Sequence, residues 1–414
     1  MSIKHLYEDE RPTLLLDFAN SKTLDPRITV TRQSTATYVD DMGIIRTAAA
    51  GVGRIDHDPA TGDCLGLLIE ETRYNDILNS QVFTSGYNKS GLNTITQNTT
   101  VTTPEGLTDG VGVITESSGG TVHQFYEASS AQVTGRRTYS IFVKPNGRNY
   151  CVLMTSSFTH DLANGTTLGS ASGEYESATT TKFSSGWVRC TVTVNHSNSY
   201  DQFNFKLAKD GHQDYSYSGD GSSGVYVWGA QLEVGPYPTS YIPTSGSSVT
   251  RNDDLVKIPA ADLDFYNEPS GTVICNAAFV GTYNNASLKT FWSFGGANGN
   301  SQYGLKLVGY GFNNRLRTID YVNTISGVYP GQAYTLTDLN STAVAYGPED
   351  HQLVVNGSAP ANSTLTTGSG WYGPTGANVL DIGNYGNIVN SIRIRRFAYY
   401  NTRLSNTALE ALTK

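Results

Sequence analysis

Apolar residues along this chain recur at every second position in short runs. Tyr139, Ile141 and Val143 alternate with polar neighbours, and so do Val188, Cys190, Val192 and Val194. A two-residue period places alternate side chains on one face of a strand. Similar runs follow at short spacing through TVHQFYEA, YCVLMTSSF, QFNFKLA and GVYVWGAQLEV, then through GTVICNAAFV, LKTFWSFGG, YGLKLVGYG, HQLVVNG and SIRIRRFAYY. Gly, Ser and Asn turns separate them, which is the signature of a sandwich or jelly roll. Asp41-Met42-Gly43 and Asn356-Gly357 read as hairpin turns. Ser405 reads as the N-cap of one short C-terminal helix carrying Leu409 and Leu412.

Three regions follow from this pattern. Residues 1–72 form an N-terminal arm and a short β lead-in segment for attachment or oligomerisation. Residues 73–250 form a first antiparallel β-sandwich, and residues 251–414 form a second. The stretch GPYPTSYIPTSGSSVT at 235–250 has three prolines and reads as an extended, protease-accessible linker. The expected class is therefore all-β: two antiparallel jelly-roll sandwiches after a short β segment. No fixed-period repeat is present, so the chain is not itself a fibrous shaft.

Composition agrees with strands and turns. Charged residues make up 15% of the 414, with 43 glycines and 26 tyrosines. The net charge of −8 argues against a broad nucleic-acid surface. Arg393, Arg395 and Arg396 alternate with Ile392, Ile394 and Phe397, as on the polar face of a strand, with a polyanion site as the alternative. No apolar run is long enough to cross a membrane, so no insertion is expected. The opening MSIKHLYEDERP has no apolar core of a signal peptide. Cys64, Cys151, Cys190 and Cys275 show no metal-ligand spacing. Buried free thiols are expected, with a Cys151–Cys190 bridge as the alternative.

The segment from Leu24 to Tyr38, LDPRITVTRQSTATY, and that from Asp63 to Glu71, DCLGLLIEE, resemble the opening of a family of phage structural proteins common in marine and cyanophage genomes. Val225–Glu233 and Thr239–Thr244 are similar to that family's later signature. The resemblance implies a virion protein of tail-fibre, head-fibre or spike type, with a carbohydrate-binding-module-like jelly roll in the middle. The C-terminal run from Ile392 to Tyr400 is similar to the last strand of concanavalin-like or laminin-G-like sandwiches. The implied setting is the extracellular particle, built in the host cytoplasm, with other virion proteins and a homotrimer as partners.

Catalytic motifs are missing: no GxSxG, no HExxH and no P-loop. Non-enzymatic binding is therefore the expected activity, with a decoration protein as the second class and a glycan depolymerase as the third. Glu70 and Glu71 are adjacent on a strand and face opposite ways, so they are not a close carboxylate pair. Trp228 reads as a core side chain, and Asp56, His57, Asp58 and Asp63 as a structural loop. Asp109, Asp161, Asp210, Asp214 and Asp220 lie in loops that leave room for a structural calcium, but no spacing fixes a ligand set. No metal or other cofactor is assigned.

Sugar recognition stacks an aromatic face on a pyranose, so aromatics in polar loops are the candidates. Trp371 and Tyr372 lie among Gly368, Gly370, Gly373 and Gly376. Tyr215 and Tyr217 lie in DYSYSGDG, and Tyr310 lies in GYGFNN with Phe312. A host cell-surface polysaccharide is the expected partner of this set, and a neighbouring virion subunit explains the same exposure.

Overall fold

The computed structural model describes residues 11–127, 132–154, 156–211, 214–281, 288–295, 305–310, 315–320, 334–348, 350–362 and 377–414. It is all-β, with two sandwiches of antiparallel sheets.

The middle sandwich faces two six-stranded sheets against each other. One runs, in spatial order, Tyr175–Lys182, Val188–Tyr200, Gln132–Asn146, Gly224–Val234, Val111–Thr115 and Thr96–Asn98. The other runs Thr166–Gly169, Phe158–Asp161, Tyr150–Leu153, Asn204–Ala208, Gln124–Tyr126 and Asn88–Ser90. The alternating residues Tyr139, Ile141, Val143, Val188, Cys190, Val192 and Val194 all point into the core between them. Cys151 and Cys190 meet there as free thiols, with Sγ atoms 3.8 Å apart.

The second sandwich draws strands from both ends of the chain. Its first sheet runs Ala361–Asn362, Asp350–Val355, Asn340–Gly347, Gly271–Phe279, Ile392–Tyr400, Cys64–Ile69 and Arg54–His57, with Leu14–Leu16 also paired to Ile392–Tyr400. Its second runs Thr29–Thr31, Leu255–Pro259, Val379–Ile382, Leu288–Gly295, Leu305–Tyr310 and Arg315–Asp320. The lead-in segment is therefore not separate: its strands enter both sheets of the C-terminal sandwich. The physical reason is burial. Leu14, Leu16, Leu67 and Ile69 are at most 2% exposed in the same core as Phe397 and Tyr399. Gly66 is required where this strand crosses its neighbour. Its φ is +99°, and a Cβ there would sit 2.2 Å from the Ile394 carbonyl oxygen.

Local signals behave as physics dictates. Asn356 and Gly357 both take positive φ, and the Ser358 N–H donates to the Val355 carbonyl, closing a tight turn. The Ser405 hydroxyl accepts from the Ala408 N–H, capping helix Asn406–Leu412, whose Ala408 and Leu409 pack on the sheet beside Ile274 and Ala398. Trp228 is buried against Phe142 and Tyr241. Asp58 accepts from the Ala60 and Thr61 N–H groups, and Asp56 pairs with Arg393 at 2.8 Å, so that cluster is structural.

The family-like segments meet at the junction of the sandwiches. Glu70 is 1% exposed and accepts from Arg54, Arg251 and both the N–H and hydroxyl of Ser240. Asp254 accepts from Arg32 and Arg54. Glu233 takes the N–H and hydroxyl of Thr239. These charges hold the lead-in segment, the end of the middle sandwich and the start of the second together.

The Pro-rich stretch is consequently not an exposed linker. Tyr237, Thr239, Tyr241 and Ile242 are all at most 4% exposed. Proline blocks ladder pairing there, and buried side chains take over the backbone's hydrogen bonds: Gln231 accepts from the Ile242 N–H and Ser80 from the Thr244 N–H. Limited proteolysis under native conditions should leave 236–244 uncut. Preferential cleavage there, before global unfolding, would show that this segment is not packed as described.

Candidate functional site

The aromatic residues singled out in the sequence have different fates. Trp371 and Tyr372 lie outside the described residues. Tyr310 ends strand Leu305–Tyr310, its backbone aligned with Leu288 and Arg315, and its side chain lies outside the description. Tyr217 is not a free platform. It is 7% exposed, its hydroxyl donates to Glu116 at 2.7 Å, and its ring meets His123 at 4.6 Å between centroids. The Arg148 guanidinium covers it at 5.2 Å. The polar loop folds back because Glu116 and Arg148 offer buried partners for the phenol, and Tyr217 is a structural residue.

Tyr215 is half-buried and stands over Lys206, whose Nζ lies 4.5 Å from the ring centroid. Lys206 lies on strand Asn204–Ala208, where alternation sends Phe205 and Leu207 into the core. Asn204, Lys206 and Ala208 therefore point to the sheet's outer face. Strand register extends that face. Lys206 is opposite Gln124 on one side and Val152 on the other, Asn204 is opposite Tyr126, and Ala208 is opposite Tyr150. Ser90 and Asn88 continue the two rows past Gln124 and Tyr126. Cys151 pairs with His160 on the inner face, which places Thr159 outside beside Val152.

The middle of this outer face is covered and its rim is partly open. Thr159, Val152 and Ala208 are 1% exposed or less, while Tyr126, Tyr150 and Tyr215 are half-buried around them. Gly211 lies against Leu168 and Tyr150, where an added Cβ would sit 2.6 Å from Leu168 Cδ1. The Asn204 amide donates to Gln124 Oε1 at 3.2 Å. Among the described residues, its buried Oδ1 and the buried Thr159 Oγ1 have no hydrogen-bond partner. Burial lowers the Lys206 pKa. Amide and ammonium groups thus share one outer sheet face with three tyrosine rings, a set of hydrogen-bonding groups beside flat apolar surfaces.

Most of this set escaped sequence reasoning, which looked for aromatics in loops. Tyr126, Tyr150, Asn204, Lys206, Gln124 and Thr159 sit on regular strands. Their signal was the polar half of the alternation in QFNFKLA and its neighbours. Of the loop aspartates, Asp161 accepts from the Ala163 and Asn164 N–H groups, and Asp220 from those of Ser222 and Ser223. Both serve turns.

No protein-family profile matches the chain, and no curated protein sequence matches it. Among solved structures it is similar to the CBM40 of Ruminococcus gnavus IT-sialidase bound to α2,3-sialyllactose, at 16% identity over 36% of this chain and 84% of that one, with a TM-score of 0.26. It is also similar to the botulinum neurotoxin type G receptor-binding domain, at 15% identity over 38% of this chain and 41% of that one, with a TM-score of 0.27. A third is a Trypanosoma rangeli sialidase mutant displaying trans-sialidase activity, at 14% identity over 38% and 25%, with a TM-score of 0.29. Likenesses this distant bear on neither ligand nor activity.

Proposed function

We propose that this chain is a non-enzymatic phage virion protein of the fibre or spike type that binds host-surface polysaccharide through the outer face of its middle sandwich. The observation that carries the binding reading is the row of half-buried Tyr126, Tyr150 and Tyr215 that shares one outer sheet face with Gln124, Asn204 and Lys206. Half-exposed rings give a sugar a flat apolar face, and the neighbouring amides give its hydroxyls hydrogen-bond partners. The virion setting is supported by the family-like segments at Leu24–Tyr38 and Asp63–Glu71. A homotrimer suits the site, because single sugar contacts are weak and linked copies gain from effective concentration.

The test is binding of the soluble protein to immobilised host polysaccharide and to whole cells. Tyr126→Ala with Tyr150→Ala should weaken binding about tenfold or more, the loss of one to two good aromatic contacts. The melting temperature should move by only a few degrees, because both rings are half-buried. Full adsorption by the double variant would overturn the reading and favour a decoration protein. Release of reducing sugar would show a depolymerase instead.

A further inference from the structure

The core of the middle sandwich holds two cysteines in contact. Cys151 lies on strand Tyr150–Leu153 of one sheet, and Cys190 on strand Val188–Tyr200 of the other. Register fixes their neighbours: Cys151 sits between Leu207 and His160, and Cys190 between Ile141 and Thr180. Both side chains point inward, both are fully buried, and their Sγ atoms lie 3.8 Å apart. Cys64, by contrast, meets the Phe18 carbonyl at 3.7 Å, and Cys275 is buried in the core of the other sandwich.

A buried free cysteine packs as a small apolar filler, and that role needs no second sulfur opposite it. The next inward positions on these strands are Leu153, Val188 and Val192, so aliphatic side chains fill the same core elsewhere. The two sulfurs come from facing sheets and from positions about 40 residues apart. Their separation is van der Waals contact, and a disulfide needs about 2.0 Å between sulfurs. The remaining approach is about 1.8 Å, shared between two side chains that already point at each other. It needs no change of strand register.

We propose that Cys151 and Cys190 form a reversible disulfide that cross-links the two sheets of the middle sandwich under oxidising conditions. The thiol pair described above is its reduced state. The oxidant is a small-molecule disulfide. One protein thiolate attacks it, its S–S bond breaks, and a mixed disulfide forms with release of one small thiolate. The second protein thiolate attacks the mixed disulfide at the protein sulfur and releases the second. Two protein thiols are oxidised, one small disulfide is reduced to two thiols, and the leaving thiolates take up the two protons that the protein loses. Only a thiolate attacks, and burial raises the Cys190 thiol pKa well above its ordinary value. Burial also keeps the reagent out, so exchange runs through opening of the sandwich. The closed bridge is shielded from reductant in the same way. A cross-link of this span restricts the unfolded chain, so it acts on stability.

The experiment uses the full chain carrying Cys64→Ser, which removes the partly exposed thiol. The protein is held in oxidised glutathione at a urea concentration just below its unfolding transition, until the product no longer changes. Its mass should fall by two hydrogens, and a non-reducing digest should yield the peptides of Cys151 and Cys190 joined. After removal of urea the melting temperature should be higher by roughly 5–10 °C. Dithiothreitol in the same urea should reverse both changes. Cys190→Ala should abolish the joined peptides and the shift. If that variant does not fold, Cys151→Ala serves the same purpose, and the oxidised and reduced forms of the unsubstituted pair still give the comparison. Two free thiols at the end point, separate glutathione adducts on Cys151 and Cys190, a bridge to Cys275, or a melting temperature that fails to rise would each overturn the proposal.

Discussion

Glu70→Ala should destabilise the protein by about 3–5 kcal/mol. Glu70 is 1% exposed and its carboxylate is held well below the usual range by the Arg251 and Arg54 guanidiniums against the opposing effect of burial. Among the described residues, removing it leaves Arg251 with the Glu71 carbonyl and the Ser240 hydroxyl as acceptors, and leaves the Ser240 N–H without its carboxylate. A buried guanidinium that loses its anion is far costlier than the intact pair is favourable, so the single deletion is the severe one. Replacing Glu70 and Arg251 together by Leu and Met should recover part of the loss. Chemical denaturation of the two variants reads both effects. A change below about 1 kcal/mol in Glu70→Ala would show that the junction is solvated rather than buried. Because the same charges join three parts of the chain, the variant should also expose 236–244 to protease.

The second large effect is loss of stability in acid. His160 is fully buried in the middle sandwich, with Nδ1 at 2.8 Å from the Thr180 hydroxyl and no partner for Nε2 among the described residues. Desolvation lowers its pKa to about 3, and that of buried His351 in the second sandwich to about 4. Both folded values lie below the unfolded value near 6.5, so the unfolded state binds protons first as pH falls. Their contribution is complete above pH 6.5 and is lost as pH drops toward 4 and then 3. The order of magnitude is about 3–5 kcal/mol each. Asp381 acts with opposite sign. Burial raises its pKa to about 6, so the folded state loses stability as pH rises from about 4 to 6. The two effects oppose each other around pH 5 and separate under substitution. His160→Gln should flatten the slope of stability against pH between 6.5 and 4, and Asp381→Asn should stabilise the protein at pH 7.5 but not at pH 4. An unchanged slope in His160→Gln would mean that the imidazole is protonated without unfolding.

The strand alternation made the fold class legible in the sequence, down to which of Val188 to Val194 face the core. Turn chemistry did the same for Asn356-Gly357 and Ser405. Pairing between distant segments was not legible. Nothing local in Leu14–Leu16 says that it aligns with Phe397, Ala398 and Tyr399, because register across several hundred residues depends on the assembled core. The burial of the Pro-rich stretch was hidden for a related reason. Its polar partners, Glu70, Asn75 and Ser80, come from another part of the chain. Tyr217 looked exposed because its neighbours are small and polar, yet Glu116 and Arg148 turn that loop inward. Tyr126, Tyr150 and Lys206 were visible only as the polar half of an alternation whose apolar half defined the core.

The central claim is that saccharide binds on the outer face of the middle sandwich. Hydrogen exchange on the full chain, with and without host polysaccharide, tests it most directly. Bound polysaccharide should slow exchange in 124–126, 150–152 and 204–206, and leave 271–279 and 392–400 unchanged. Protection confined to 366–376, or none in the middle sandwich while binding persists, would contradict it.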